Sequence, residues 1–149
     1  MITKFGKEKL EEKLAKLKKE LEEVSQSRGA AASAGDLKEN SAYISLTEKA
    51  RFLYSQIDDL NLDLKKAVVQ GKPSQADFIC FGHQVKVLYE NSRDEKELLL
   101  VGSSETQFFP NGVSCETPIA QALMGKKAGE TALVNNQPVK ILEIKIGEI

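Results

Sequence analysis

The residues of this chain best suited to chemistry are two carboxylic acids three positions apart, Asp36 and Glu39, in the string Gly35-Asp36-Leu37-Lys38-Glu39-Asn40. Spacing leaves two readings open. In the first, Asp36 is an N-cap and Glu39 closes a capping box, so the pair only starts a helix. In the second, both acids project from the end of an element and offer hard oxygen donors to a cation such as Mg2+. Two carboxylates cannot complete an octahedral shell, so such a pair would hold Mg2+ weakly alone and firmly only when a partner adds ligands. Other reactive types are sparse. Cys80 and Cys115 lie far apart with no CxxC, and His83 is the single histidine, which argues against a structural zinc site. Neither cysteine has an evident base nearby in sequence, so both read as small packed side chains, and His83 reads as a strand or turn residue.

The flanking sequence indicates what must position the acid pair. Leu10, Leu14, Leu17, Leu21 and Val24 are spaced 4, 3, 4, 3, and Leu46, Ala50, Leu53, Ile57, Leu60, Leu64 and Ala67 continue the same rhythm beyond it. An apolar residue about every 3.5 positions makes a narrow seam along a helix, with charged residues such as Glu11, Lys13, Lys16 and Glu20 outside it. Neither seam can be buried alone. The short break between the runs makes each the other's simplest partner, giving an antiparallel helical hairpin whose arms extend about 40 Å at ~1.5 Å per residue. A coiled coil between two copies, or part of a bundle, is the alternative. The break holds small residues, Gly29-Ala30-Ala31-Ala32-Ser33-Ala34-Gly35, and Gly35 suits the end of the first helix.

From residue 73 the texture changes. Proline is absent before Pro73, and afterwards prolines and glycines punctuate short apolar runs, so Gly71-Lys72-Pro73-Ser74 reads as a linker. The division expected is residues 1–72, a coiled-coil hairpin with its tip at 35–43, and residues 73–149, a small domain. Residues 78–81, 84–89, 97–101, 131–134 and 139–144 read as strands, with Asn135-Asn136 as a hairpin turn. The last strand alternates, placing Val139, Ile141 and Glu143 on one face and Leu142 and Ile144 on the other. Thr117 as N-cap and Pro118 at the first helical position begin one short helix, and Gly125 stops it. The fold class is therefore α+β.

Composition narrows the function. With 21 basic and 22 acidic residues the net charge is −1, which lacks the basic excess of a direct duplex binder. No apolar run approaches the ~20 residues of a membrane span, and the charged, periodic N-terminus lacks the apolar core of a secretory signal. A cytoplasmic protein with reduced thiols is expected.

The segment from Ala34 to Tyr43 resembles the G-D-L-x-E-N-[AS]-[ED]-Y tip of the Gre family of bacterial transcript-cleavage factors. A second stretch, Thr117-Pro118-Ile119-Ala120-Gln121-Ala122-Leu123-Met124-Gly125-Lys126, is similar to the S-P-I-A-R-A-L-I-G-K segment of that family's C-terminal domain. Phe81-Gly82-His83-Gln84-Val85 and the opening Thr3-Lys4-Phe5-Gly6-Lys7 also fit, so the resemblance covers nearly the whole chain in order. It implies an N-terminal coiled coil and an FKBP-like, antiparallel C-terminal sheet domain. It further implies a factor, not itself an enzyme, that docks on bacterial RNA polymerase and passes its coiled coil down the secondary channel. There Asp36 and Glu39 would help hold the Mg2+ shared with the polymerase active site and orient water for cleavage of the backtracked RNA 3′ end. On the same resemblance Gly35, Leu37, Lys38, Asn40, Ser41 and Tyr43 support the tip. Thr117, Pro118 and Ile119 touch the polymerase, and the factor acts as a monomer.

This sequence departs from the family pattern in three places. Ala42 stands where a third acid is usual; Ile44, Ser45, Leu46 and Thr47 are neutral where cations are frequent, the first being Lys49 and Arg51; and Gln121 replaces an arginine. The missing basic patch leans toward GreA-type behaviour. The departures also sustain a rival reading, a Gre-like regulator that occupies the channel and tunes polymerase without cleavage. A second rival, a prolyl isomerase, would need Phe78, Phe81, Tyr89, Phe108 and Phe109 to rim a deep pocket; core packing is the plainer use of most of them.

Overall fold

The computed structural model describes residues 1–33 and 40–149. Two long helices come first, α1 (Lys4–Ser33) and α2 (Ser41–Lys66). They are followed by β1 (His83–Tyr89), β2 (Asp94–Val101), a 3-10 helix (Ser103–Phe108), β3 (Gly112–Ser114), α3 (Pro118–Leu123), β4 (Thr131–Val134) and β5 (Gln137–Ile146). The chain divides into two compact units, one of Lys9–Lys66 and one of Met1–Glu8 with Ala67–Ile149.

In the helical unit the apolar seam is the packed surface. Val24, Ala50 and Leu53 are buried together with Leu17, Leu21 and Leu46 against them, and Ile57 and Leu60 are buried further along α2. The helices run antiparallel. Glu20 meets Lys49 at 3.3 Å, whereas Ala31, later on α1, meets Asn40, just ahead of α2. At 30 and 26 residues the helices extend about 45 and 39 Å at ~1.5 Å per residue. The seam was expected to run on to Ala67, but α2 stops at Lys66. The chain there turns extended, and the Ile2 amide donates to the Val68 carbonyl at 2.9 Å while the Ile2 carbonyl accepts the Gln70 amide at 2.8 Å.

The other unit is a five-stranded sheet in the order β3-β2-β1-β5-β4. An all-antiparallel sheet was expected; the pairings among β2, β1, β5 and β4 are antiparallel, but β3 lies parallel to β2 at the edge, so the sheet is mixed. One face is the core, with Val85, Val87, Leu98, Leu100, Val139 and Ile141 packed on Ala120 and Leu123 of α3. Asn135 and Asn136 both take positive φ, 50° and 62°, the geometry of the tight hairpin turn between β4 and β5. The alternation expected along β5 fails after Ile141. Val87 pairs with Ile141 but Lys86 with Glu143, so Leu142 is an extra residue, a β-bulge. The bulge returns Ile144 to the core side with Val139 and Ile141, and leaves Glu143 beside Lys86 and Lys145 on the polar face.

Residues 78–81 were expected as a strand and are not one. Ile79 instead exchanges backbone hydrogen bonds with the residues just after α3, its amide donating to the Lys126 carbonyl at 2.9 Å and its carbonyl accepting the Gly125 amide at 2.8 Å. Cys80 gives its N–H to the His83 ring, and Gly82 turns the chain at φ 86°. With the Ile79 and Cys80 amides spent on these partners the segment is no strand, though Ile79 and Phe81 still fill the core.

Candidate functional site

The acid pair Asp36 and Glu39, with Gly35, Leu37 and Lys38, falls outside the described residues. What the structure places is the residues on either side of them. α1 ends in Gly29-Ala30-Ala31-Ala32-Ser33, where Ser33 Oγ donates back to the Gly29 carbonyl at 3.1 Å. α2 is preceded by Asn40, whose Oδ1 accepts the Tyr43 amide at 3.1 Å. Asn40 is thus the N-cap of α2, the role that spacing had offered to Asp36. The same side chain reaches across, with Nδ2 donating to the Ala31 carbonyl at 2.6 Å. A carbonyl on one side and an amide N–H on the other fix which end of the Asn40 amide faces which partner. Ser41 and Ala42 are exposed on the first turn, Tyr43 is half-buried, and Ile44 is exposed. The nearest following cations are Lys49, paired with Glu20, and Arg51, exposed.

The second motif folds as its residue types dictate. Thr117 is the N-cap of α3: its Oγ1 accepts from the Ala120 amide and donates to the Ser114 carbonyl at 2.7 Å. Pro118 opens the helix and is exposed, while Ile119 packs on the core. Gln121, in the place of the family's arginine, donates to the Cys115 carbonyl at 2.7 Å, which ties its side chain to the preceding loop.

The remaining reactive types are structural. His83 is 1 % exposed. Its Nδ1 accepts the Cys80 amide at 3.0 Å, which leaves Nε2 as the N–H that donates to the Gln75 carbonyl at 2.7 Å. Cys80 Sγ lies 3.4 Å from that same Nδ1. The ring nitrogen is already engaged, and burial pushes the Cys80 thiol up, so the pair is not an activated nucleophile. Burial likewise pushes Cys115 up to about 11. Among the described residues no group of three or more His, Cys, Asp or Glu is placed to hold a metal ion, and no helix is long and apolar enough to cross a membrane.

Two neighbouring clefts open on the sheet-bearing unit. One of about 520 Å³ is lined by Met1, Pro73, Cys80, Phe81, Met124 and the chain from Gln70, and one of about 180 Å³ by Met1, Phe81, Ser103, Cys115, Gln121 and Met124. Of the aromatics that an isomerase pocket would need, only Phe81 lines either. Phe78 sits under Lys127, Tyr89 under Lys96, and Phe109 packs on Phe5.

One site was not anticipated from sequence. Glu105, in the 3-10 helix, is wholly buried. Its carboxyl group accepts the Thr3 amide at 3.0 and 3.1 Å, the Gly102 amide at 2.8 Å and the Thr3 hydroxyl at 2.5 Å. Thr3 Oγ1 in turn accepts the Gly6 amide at 2.8 Å as N-cap of α1. In an ordinary capping box the acid comes from the third helical residue. Here that residue is Gly6, and the acid comes from 102 positions away. A Cβ on Gly6 would lie 1.8 Å from Glu105 Oε2, so glycine is what fits.

Fold and site together define a class: an α+β protein with a long antiparallel helical hairpin, whose arms are linked in sequence through the acid pair, and a small mixed-sheet unit with no catalytic constellation among the described residues. Comparison with known proteins makes the class specific. The family model "Transcription elongation factor, N-terminal" matches residues 1–69, and "Transcription elongation factor, GreA/GreB, C-term" matches residues 74–149. The chain belongs to the GreA/GreB family of transcription elongation factors. Transcription elongation factor GreA of Caldanaerobacter subterraneus subsp. tengcongensis is 38 % identical over 151 residues, covering 100 % of this chain and 96 % of the relative. The GreA of Streptococcus sanguinis is 37 % identical over 147 residues, covering 97 % and 91 %. Among solved structures, the GreA factor homolog 1 protein of Thermus thermophilus aligns over 97 % of each chain at 21 % identity with a TM-score of 0.46.

Proposed function

We propose that this chain is a cytoplasmic, monomeric accessory factor that binds RNA polymerase, enters its secondary channel with the helical hairpin, and stimulates cleavage of backtracked nascent RNA. The observation that carries this reading is the hairpin itself: two antiparallel arms of 30 and 26 residues, bonded to each other through Asn40 and Ala31, with Asp36 and Glu39 between them in sequence. On this reading the hairpin carries the two carboxyl groups to a partner, since an acid pair alone is of use only where a partner completes the site. Hard oxygen donors suit Mg2+, and two of them leave most of its shell for the polymerase. In that shared site Asp36 and Glu39 would be the ligands, and bound Mg2+ would supply charge stabilisation and a more acidic water for phosphodiester hydrolysis. The polymerase remains the catalyst. On the other unit, exposed Pro118 and its neighbours Thr117 and Ile119 are the proposed docking residues.

A second reading has an observation of its own. Ser41, Ala42, Ile44 and Ser45 are exposed on the first turns of α2 and carry no charge. A tip that lacks a third acid, followed by neutral residues where the family carries cations, suits a factor that occupies the channel without promoting cleavage, because contact with an RNA 3′ end needs cations near its phosphates. Stalled, backtracked complexes incubated with the protein at several Mg2+ concentrations separate the two: faster release of short RNA 3′ fragments supports the first, and tight binding with no added cleavage supports the second.

A further inference from the structure

We infer that the larger cleft of the sheet-bearing unit is a binding site for a soft monovalent metal ion, Cu+, held by the Cys80 sulfur and the thioethers of Met124 and Met1. The chain has two cysteines and two methionines, and all four gather here. Cys80, Met124 and Met1 line the cleft of about 520 Å³, and Cys115 lines the neighbouring cleft of about 180 Å³ together with the same two methionines. All lie within the compact unit of Met1–Glu8 and Ala67–Ile149. The backbone brings Cys80 and Met124 side by side: Ile79, just before Cys80, accepts through its carbonyl the amide of Gly125, just after Met124, at 2.8 Å. Both cysteines are free thiols. Cys80 is partly exposed and Met1 is 58 % exposed, so an ion reaches both from solvent, and the unbranched, polarizable thioethers turn readily onto it.

The ligand types select the ion. Thiolate and thioether sulfurs are soft and suit Cu+, whereas Zn2+ takes its set from cysteine, histidine and carboxylates. That set is missing here. His83, beside Cys80, has both ring nitrogens engaged, one with the Cys80 amide and the other with the Gln75 carbonyl. Among the described residues no three of His, Cys, Asp or Glu are grouped to hold a metal. As the Cu–S bond forms, the Cys80 thiol gives its proton to water, and the copper stays monovalent throughout. Because both clefts draw on the same two methionines, they hold a single tightly bound ion between them.

The test uses the full-length, reduced chain without oxygen. Cu+ is titrated against a coloured Cu+ chelator, with N-acetylcysteine as the reference for a plain thiol. Ag+, a soft monovalent ion that does not change oxidation state, is added in parallel while the methionine methyl groups are followed by NMR. The expected result is one equivalent of Cu+ bound more tightly than by N-acetylcysteine, with both methionine methyl resonances shifting together and ceasing to move at one equivalent of Ag+. Met124→Leu, which conserves volume, should weaken binding about tenfold or more, and Cys80→Ser and Cys80→Ala should each abolish the tight step, all with unchanged helix ellipticity. Should a variant lose ellipticity, the methyl shifts of the unaltered protein decide alone. Two equivalents bound alike, one per thiol, with the methyl resonances unmoved would overturn the site. So would affinity no better than that of N-acetylcysteine, or a folded Met124→Leu that binds as well as the unaltered chain.

Discussion

Replacing Gly6 with alanine should destabilise this protein, against the ordinary preference of helices. In an exposed helix interior Gly→Ala stabilises by about 0.8–1.0 kcal/mol. At position 6 the new Cβ would lie 1.8 Å from Glu105 Oε2 and 2.8 Å from Glu105 Cβ. The carboxyl group would have to move, and it accepts the Thr3 amide, the Gly102 amide and the Thr3 hydroxyl. Each such buried group left without a partner costs about 1–3 kcal/mol. Glu105→Ala, which strips all three of their acceptor, is therefore expected to cost about 3–5 kcal/mol, and Gly6→Ala at least about 2 kcal/mol after the helix gain is deducted. Against a typical total of about 5–15 kcal/mol either is severe. The assay is urea denaturation of the full chain followed by helix ellipticity and tyrosine absorbance, which also reveals whether the two units unfold together. A double-mutant cycle supplies the control. In a Glu105→Gly background the obstruction is gone, and Gly6→Ala should be neutral or stabilising by up to about 1 kcal/mol. Stabilisation by Gly6→Ala with Glu105 intact would refute the reasoning, because it would mean that the carboxyl group moves aside without loss.

Three further outcomes follow from the sheet-bearing unit and the loop. Burial pushes the Cys115 thiol up to about 11. The stability linked to it is therefore present below pH 9 and lost as pH rises toward 11; Cys115→Ala should flatten that part of a stability–pH curve. Asn136 stands at φ 62°, so Asn136→Val should cost about 1–2 kcal/mol in thermal or urea unfolding, whereas Asn136→Gly should be harmless or better. Asp36→Asn and Glu39→Gln should leave helix content and unfolding midpoints close to those of the unaltered chain, because Asn40 supplies the cap of α2; circular dichroism checks this, and a loss of helix would restore the capping role to the acid pair.

How much was legible in the sequence follows from how local each cause is. The helical seam, the α3 start at Thr117-Pro118 and the Asn135-Asn136 turn each depend on residues a few positions apart, and each could be read directly. The Leu142 bulge could not, because one extra residue in β5 is visible only once β1 is laid beside it. β3 is three residues long and parallel, too short for any periodicity. Residues 78–81 look like a strand by composition but spend their hydrogen bonds on His83 and the end of α3. Glu105 is the clearest case of a nonlocal cause: one acid among 22 acidic residues, with nothing at Thr3 or Gly6 to announce that a capping box would be completed from 102 positions away. At the candidate site, Asn40 was legible as part of a motif, but its bond to Ala31 was not, since the two meet only when the helices pair.

The central claim is that the hairpin delivers Asp36 and Glu39 to a partner's active centre. It is tested most directly by RNA cleavage in backtracked polymerase complexes with the unaltered protein and with Asp36→Asn and Glu39→Gln. The account expects the unaltered protein to accelerate release of the RNA 3′ fragment, and each variant to lose that acceleration by at least about a hundredfold while still displacing the unaltered protein from polymerase. Variants that cleave as well as the unaltered protein, or an unaltered protein that binds and leaves the cleavage rate where it was, would contradict it.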